Sequence, residues 1–127
     1  MMIKQELRDR AKIAADFIHF QAKGIKAVVI STEDGFEVAA RVENTAQITR
    51  LSAMASSFAA LGALAGEESN LGQCDDVIVE AREGVILILQ IPGETATLIM
   101  SVVAGRDAVV GQVLYFAKQA ARTLQRV

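Results

Sequence analysis

Apolar positions recur along this chain with two different periods, and each change of period marks the end of an element. Ile3, Leu7, Ala11, Ala14 and Ile18 return at intervals of three and four, with Phe17 widening the stripe. That spacing predicts an amphipathic helix over Gln5 to Ala22. Lys23-Gly24 ends it, a basic residue in the last turn followed by the usual C-terminal glycine. Lys26 to Ser31, with Ala27-Val28-Val29-Ile30 inside it, reads as a strand. Glu33-Asp34-Gly35 then reads as a hairpin turn, since Asp-Gly supplies the positive φ angles a tight connection demands. Phe36 to Val42 alternates and returns as a second strand, more polar and so expected near an edge. Asn44 or Thr45 is placed to cap a helix from about Ala46 to Ala65 that stops at Gly66.

Val77 to Val103 holds two turn signals close together. Glu83-Gly84 divides Val77-Ile78-Val79-Glu80-Ala81 from Val85-Ile86-Leu87-Ile88-Leu89. Pro92-Gly93-Glu94 divides that run from Thr95 to Val103. Connections this short allow only antiparallel neighbours, because a parallel crossover needs a dozen or more residues. A three-stranded meander is the result. Asp107 is placed to cap a last helix, Ala108 to Arg126, with Val109, Val113, Phe116, Ala117, Ala120 and Leu124 at helical spacing.

The predicted order is α-β-β-α-β-β-β-α: an α/β (α+β) chain with five antiparallel strands in one domain spanning residues 1–127. Ala27 to Ile30 and Val85 to Ile91 are apolar on both faces, so helices are expected on both sides. The fold class is a three-layer α/β/α sandwich, with the terminal helices on one face and the middle helix alone on the other. That middle helix, Ala53 to Ala65, is small or apolar around most of its circumference. A helix of this kind is normally buried all round. A single copy leaves its outer face uncovered.

Composition adds bounds. Apolar residues make up 52% and charged residues 22%, far from the disordered class. A net charge of −2 favours neither nucleic acid nor an anionic membrane surface as partner. A single cysteine excludes an internal disulfide framework and fits a reducing, cytoplasmic setting. The N-terminal residues lack an apolar signal core, and no run reaches the roughly 18 consecutive apolar residues of a membrane span.

Catalytic residue types are scarce. His19, the one histidine, sits inside the first helix and reads as a surface or flank residue. Cys74 has no basic neighbour to activate it and reads as a structural thiol. One His and one Cys cannot assemble the usual zinc site in a single chain. Asp75 and Asp76 would point to opposite strand faces, which disfavours a carboxylate dyad. The glycines from Gly62 to Gly66 lack the Lys-Ser/Thr ending of a phosphate loop. Arg41 and Arg50 flank the entry to the middle helix and read as surface arginines. No catalytic residue, cofactor or metal is expected, and the protein is expected not to be an enzyme.

The chain resembles the roadblock family of dynein light chains, which includes bacterial relatives acting on small GTPases. The matching segments are the hairpin Val28-Val29-Ile30-Ser31-Thr32-Glu33-Asp34-Gly35-Phe36-Glu37-Val38-Ala39 and the small-residue helix Leu51 to Leu64. Cys74-Asp75-Asp76-Val77-Ile78-Val79-Glu80-Ala81-Arg82-Glu83-Gly84 and the apolar strand ending at Pro92 complete the match, which spans about residues 5–125. The resemblance implies a profilin-like sheet of strand order 2-1-5-4-3. It also implies a homodimer, or a dimer with a roadblock paralogue, in which the middle helix and third strand meet their copies.

The expected dimer interface is Leu51, Met54, Ala55, Phe58, Ala59 and Gly62 of the helix, with Asp76, Val77, Ile78, Val79 and Glu80 of the strand. Small residues would allow close approach, the larger ones supply contact, and pairing would remove an exposed strand edge. Phe58→Glu is accordingly expected to give a monomer or an aggregate. The implied function is a dimeric scaffold that binds a small Ras-like GTPase and modulates or localises it, without membrane insertion. The alternative is an adaptor, like a motor light chain, with no effect on GTP hydrolysis.

Overall fold

Strands and helices fall where the two periods place them, in the order α-β-β-α-β-β-β-α. The computed structural model describes residues 3–44, 46–93 and 96–125. In chain order the elements are α1 (Gln5–Gln21), β1 (Ile25–Thr32), β2 (Glu37–Val42), α2 (Ala46–Glu68), β3 (Asp76–Ala81), β4 (Gly84–Ile91), β5 (Leu98–Gly105) and α3 (Val110–Leu124). The strands form one antiparallel sheet in the order β2-β1-β5-β4-β3. Thr45, Glu94, Thr95 and Arg126, parts of the predicted cap, turn, strand and last helix, lie outside the described residues.

Period-two alternation sorts each strand between two cores. Val28 and Ile30 of β1, Val85, Leu87, Leu89 and Ile91 of β4, and Leu98, Met100, Val102 and Ala104 of β5 face α1 and α3. Those helices run antiparallel across that face. Arg10 donates to the carbonyl of Thr123 at 2.6 Å, and the rings of Phe17 and Phe116 meet edge to face with centroids 6.0 Å apart. Ala27 and Val29, with Ile88 and Ile99, face the other way, toward Leu51, Ala55 and Ala59 of α2. The terminal helices therefore share one face and α2 stands alone on the other.

The hairpin between β1 and β2 lies where expected, but only Gly35, at φ +91, takes the positive angle expected of both Asp34 and Gly35. Thr32 completes it, its backbone N–H donating to the Phe36 carbonyl at 2.8 Å while its hydroxyl accepts from the Phe36 N–H at 3.2 Å.

Three expectations are corrected. Gly66 does not end α2, which runs on to Glu68. The stop is Asn70 at φ 57, with the Leu71 amide bonded to the Gly66 carbonyl at 2.8 Å and the Asn70 amide to Glu67 at 3.1 Å. That pair of bonds is the Schellman closure, with asparagine taking the left-handed position glycine usually holds. Gly66 is small for another reason: a Cβ there would strike the Gly72 carbonyl. Asp107 does not cap α3. The chain turns first, Ala108 N–H to Gly105 carbonyl at 3.1 Å, and the helix starts after Val109 without a side-chain cap. Nor is β4 buried on both faces throughout, since Ile86 and Gln90 on its α2 side are only half-buried. The fully enclosed strand is the central β5, where every residue but Val103 is buried.

Candidate functional site

α2 has two apolar faces, and they differ in residue size. The inner face is small. Ala55 and Ala59 are buried against Ile88 and Ile99, and Leu51 packs on Ala27 and Val29. A Cβ added at Gly62 would lie 2.8 Å from both Cys74 Sγ and Val77 Cγ2. Small side chains thus let the helix lie low on its own sheet, which is where Leu51, Ala55, Ala59 and Gly62 of the expected interface belong. Phe58 is half-buried beside the same cluster.

The outer face carries the larger groups. Met54 is 42% exposed, Leu61 60% and Leu64 53%. Their spacing of seven and three residues puts them on one stripe. Leu61 and Leu64 were missed in the sequence, because a helix apolar on all sides gives no period by which to separate inner from outer. By length and composition α2 is also long and apolar enough to cross a membrane, yet only 22% of its most apolar window is buried here. The exposed stripe is a surface that solvent disfavours.

β3 lies beside α2 at one end of the sheet. Asp76 to Ala81 pair one-to-one with Leu89 to Gly84, with no irregularity. The opposite side of β3 has no strand next to it among the described residues. Val77 is half-buried against the α2 cluster, Val79 is half-buried, and Ile78 is 44% exposed on the other face. Asp76 is half-buried with a carboxylate oxygen 3.9 Å from Lys118 Nζ, and Glu80 is exposed. Of the expected interface, the structure thus leaves Met54, Ile78 and Glu80 exposed, keeps Asp76, Val77 and Val79 half-buried, and turns the small helix residues inward.

The residues weighed for chemistry are scattered. His19 is half-buried with its ring 5.2 Å from Phe20, on the face away from α2. The Cys74 thiol donates to the Asp76 carbonyl at 3.4 Å. Arg41 is bonded to Asp16 at 3.3 Å and lies 4.9 Å over the Phe20 ring. Arg50 is exposed near the start of α2. Among the described residues no three of His, Cys, Asp or Glu come together as a metal site. What the arrangement offers is surface: an apolar helix stripe next to a regular open strand.

No family model and no curated relative matches the chain. Solved structures do. The Roadblock/LC7 domain from Streptomyces avermitilis is similar with a TM-score of 0.80, at 18% identity, over 89% of this chain and 92% of that one. The fold is that of the roadblock/LC7 domain. MglB from Myxococcus xanthus superposes with a TM-score of 0.83 at 13% identity, covering 98% of this chain and 91% of that one. The gliding protein mglB from Thermus thermophilus gives 0.84 at 15% identity, covering 99% and 93%. Such identities speak for the fold, and the strand order expected from the resemblance, 2-1-5-4-3, is the one found.

Proposed function

We propose that this chain is a non-enzymatic cytoplasmic platform that pairs with a second copy, or a roadblock paralogue, through α2 and the β3 edge. The pair binds a small Ras-like GTPase and modulates or localises it. The observation that carries the reading is the exposed stripe Met54, Leu61 and Leu64 running beside an unbroken edge strand. A two-fold axis there would bury the stripe against its own copy and extend the sheet across the junction. Burying a fully exposed leucine side chain is worth about 1.5–3 kcal/mol, and the stripe from both copies would contribute part of that at each residue toward an association cost of roughly 4–15 kcal/mol. The GTPase as partner is carried over from the roadblock resemblance, and the likeness to MglB in fold supports it.

In this reading the chemistry stays with the GTPase. The platform biases the switch segments of its partner toward one arrangement and supplies no reacting group. Three measurements test it. Light scattering on the purified chain should give twice the chain mass. Immobilised protein should retain a small GTPase from its own cell in one nucleotide state, and phosphate release from that GTPase should change when the platform is added. Retention with unchanged release would leave an adaptor; no retention in either nucleotide state removes the GTPase altogether.

A further inference from the structure

We infer that helix α1 bolts the β2 edge of the sheet shut, so that β3 is the only edge at which another chain can add and assembly stops at a closed pair. The inference rests on the β3 pairing proposed above. A five-stranded sheet has two edges, and each presents unpaired backbone groups that can template another strand. Here the two edges are built differently. β3 keeps a six-residue register with β4 without interruption. β2 does not: Ala39 pairs with Ile30 and Glu37 with Ser31, which leaves Val38 without an opposite residue. A bulge of this kind twists an edge and interrupts its regular row of donors and acceptors.

α1 then occupies two carbonyls of β2. Arg8 Nη1 donates to the Val38 carbonyl at 3.3 Å, and Lys12 Nζ donates to the Ala40 carbonyl at 2.9 Å. The geometry matches by period. Four residues of helix rise about 6 Å, and two residues of strand advance about 6.8 Å, so donors at Arg8 and Lys12 reach alternate carbonyls. The stripe continues at the same spacing. Asp16 holds Lys12 and Arg41, each at 3.3 Å, and Phe20 lies under the Arg41 guanidinium at 4.9 Å. Arg8, Lys12, Asp16 and Phe20 thus form one row along α1, and all four engage β2 or a residue that does. β3 is held more lightly: among the described residues only the Cys74 thiol meets one of its carbonyls, that of Asp76 at 3.4 Å, and Lys118 of α3 reaches the Asp76 carboxylate at 3.9 Å, with no row of helix donors along its edge. Were both edges open, pairing at β3 and again at β2 would join two different two-fold contacts, and such a chain has no natural end.

The test uses the full chain with Arg8→Met and Lys12→Met together, which keeps both side-chain stems and the helix but removes the donors. The weight-average mass by light scattering should rise with concentration to at least double the wild-type value. The exchange Arg8→Lys with Lys12→Arg, which keeps donors, should leave the mass unchanged. Adding Ala40→Pro to the methionine variant removes an edge N–H and should return the mass to the wild-type value. A methionine variant that stays folded by circular dichroism at wild-type mass across the concentration range overturns the inference. So does precipitation that Ala40→Pro leaves uncorrected. If the wild-type protein itself is a single chain in solution, the β3 pairing fails but this inference is still read, since the methionine variant should then form pairs.

Discussion

Gly62 and Val77 meet where α2 crosses closest to β3: a Cβ on the glycine would stand 2.8 Å from Val77 Cγ2. Two effects of opposite sign therefore act on Gly62→Ala. Replacing a mid-helix glycine by alanine ordinarily stabilises by roughly 0.8–1 kcal/mol. Overpacking a tight contact costs about 1–3 kcal/mol, and here both Cys74 Sγ and Val77 Cγ2 would have to give way. The clash should win, lowering stability by about 1 kcal/mol, read as a reduced urea midpoint at constant slope. A higher midpoint would show that α2 has room to lift from β3.

Asn70→Gly and Asn70→Ala form a pair of opposite expectation. Asn70 ends α2 at φ 57, a conformation glycine adopts freely and alanine does not. Asn70→Gly should leave thermal stability unchanged or slightly higher, whereas Asn70→Ala should lower it by about 1 kcal/mol. Equal melting temperatures for both would mean that the closure through the Leu71 and Gly66 backbone contributes nothing.

The element order, the antiparallel meander and the lone middle helix were all legible in the sequence, because they rest on period and on short connections. What was hidden depended on contacts between elements. Gly66 reads as a helix stop when only its own segment is considered, and its small size answers to the Gly72 carbonyl instead. Leu51, Ala55 and Ala59 could not be told from Leu61 and Leu64, since a helix apolar all round carries no phase. The row Arg8, Lys12, Asp16 and Phe20 has no sequence signal that sets it apart. Its use against Val38 and Ala40 appears only when α1 is laid on the sheet.

The layer between α2 and the sheet is also less apolar than its sequence implies. Ser31, Ser52 and Ser101 are buried there, each with a hydroxyl oxygen that has no hydrogen-bond partner among the described residues. Ser101 stands across from Val29 and Ile88, which face α2. An unsatisfied buried hydroxyl carries a desolvation penalty of about 1–3 kcal/mol. Ser101→Ala should therefore keep or raise the melting temperature, contrary to the usual sign for a buried position. A loss larger than about 1 kcal/mol would show that the hydroxyl is satisfied in solution.

The outer stripe of α2 separates folding from association better than Phe58 does. Phe58 is half-buried against the cluster that holds Ile88 and Ile99, so Phe58→Glu would injure the chain's own core and confuse the two effects. Leu61 is 60% exposed and Leu64 53%, and neither belongs to a core cluster. Leu61→Glu with Leu64→Glu should leave circular dichroism unchanged and halve the solution mass of the wild-type pair. Two glutamates facing their copies across a two-fold axis would bring four carboxylates together in a desolvated contact, where like charges are unfavourable. Retention of the paired mass at wild-type affinity would place the self-contact elsewhere on the molecule, and the α2 reading would be abandoned.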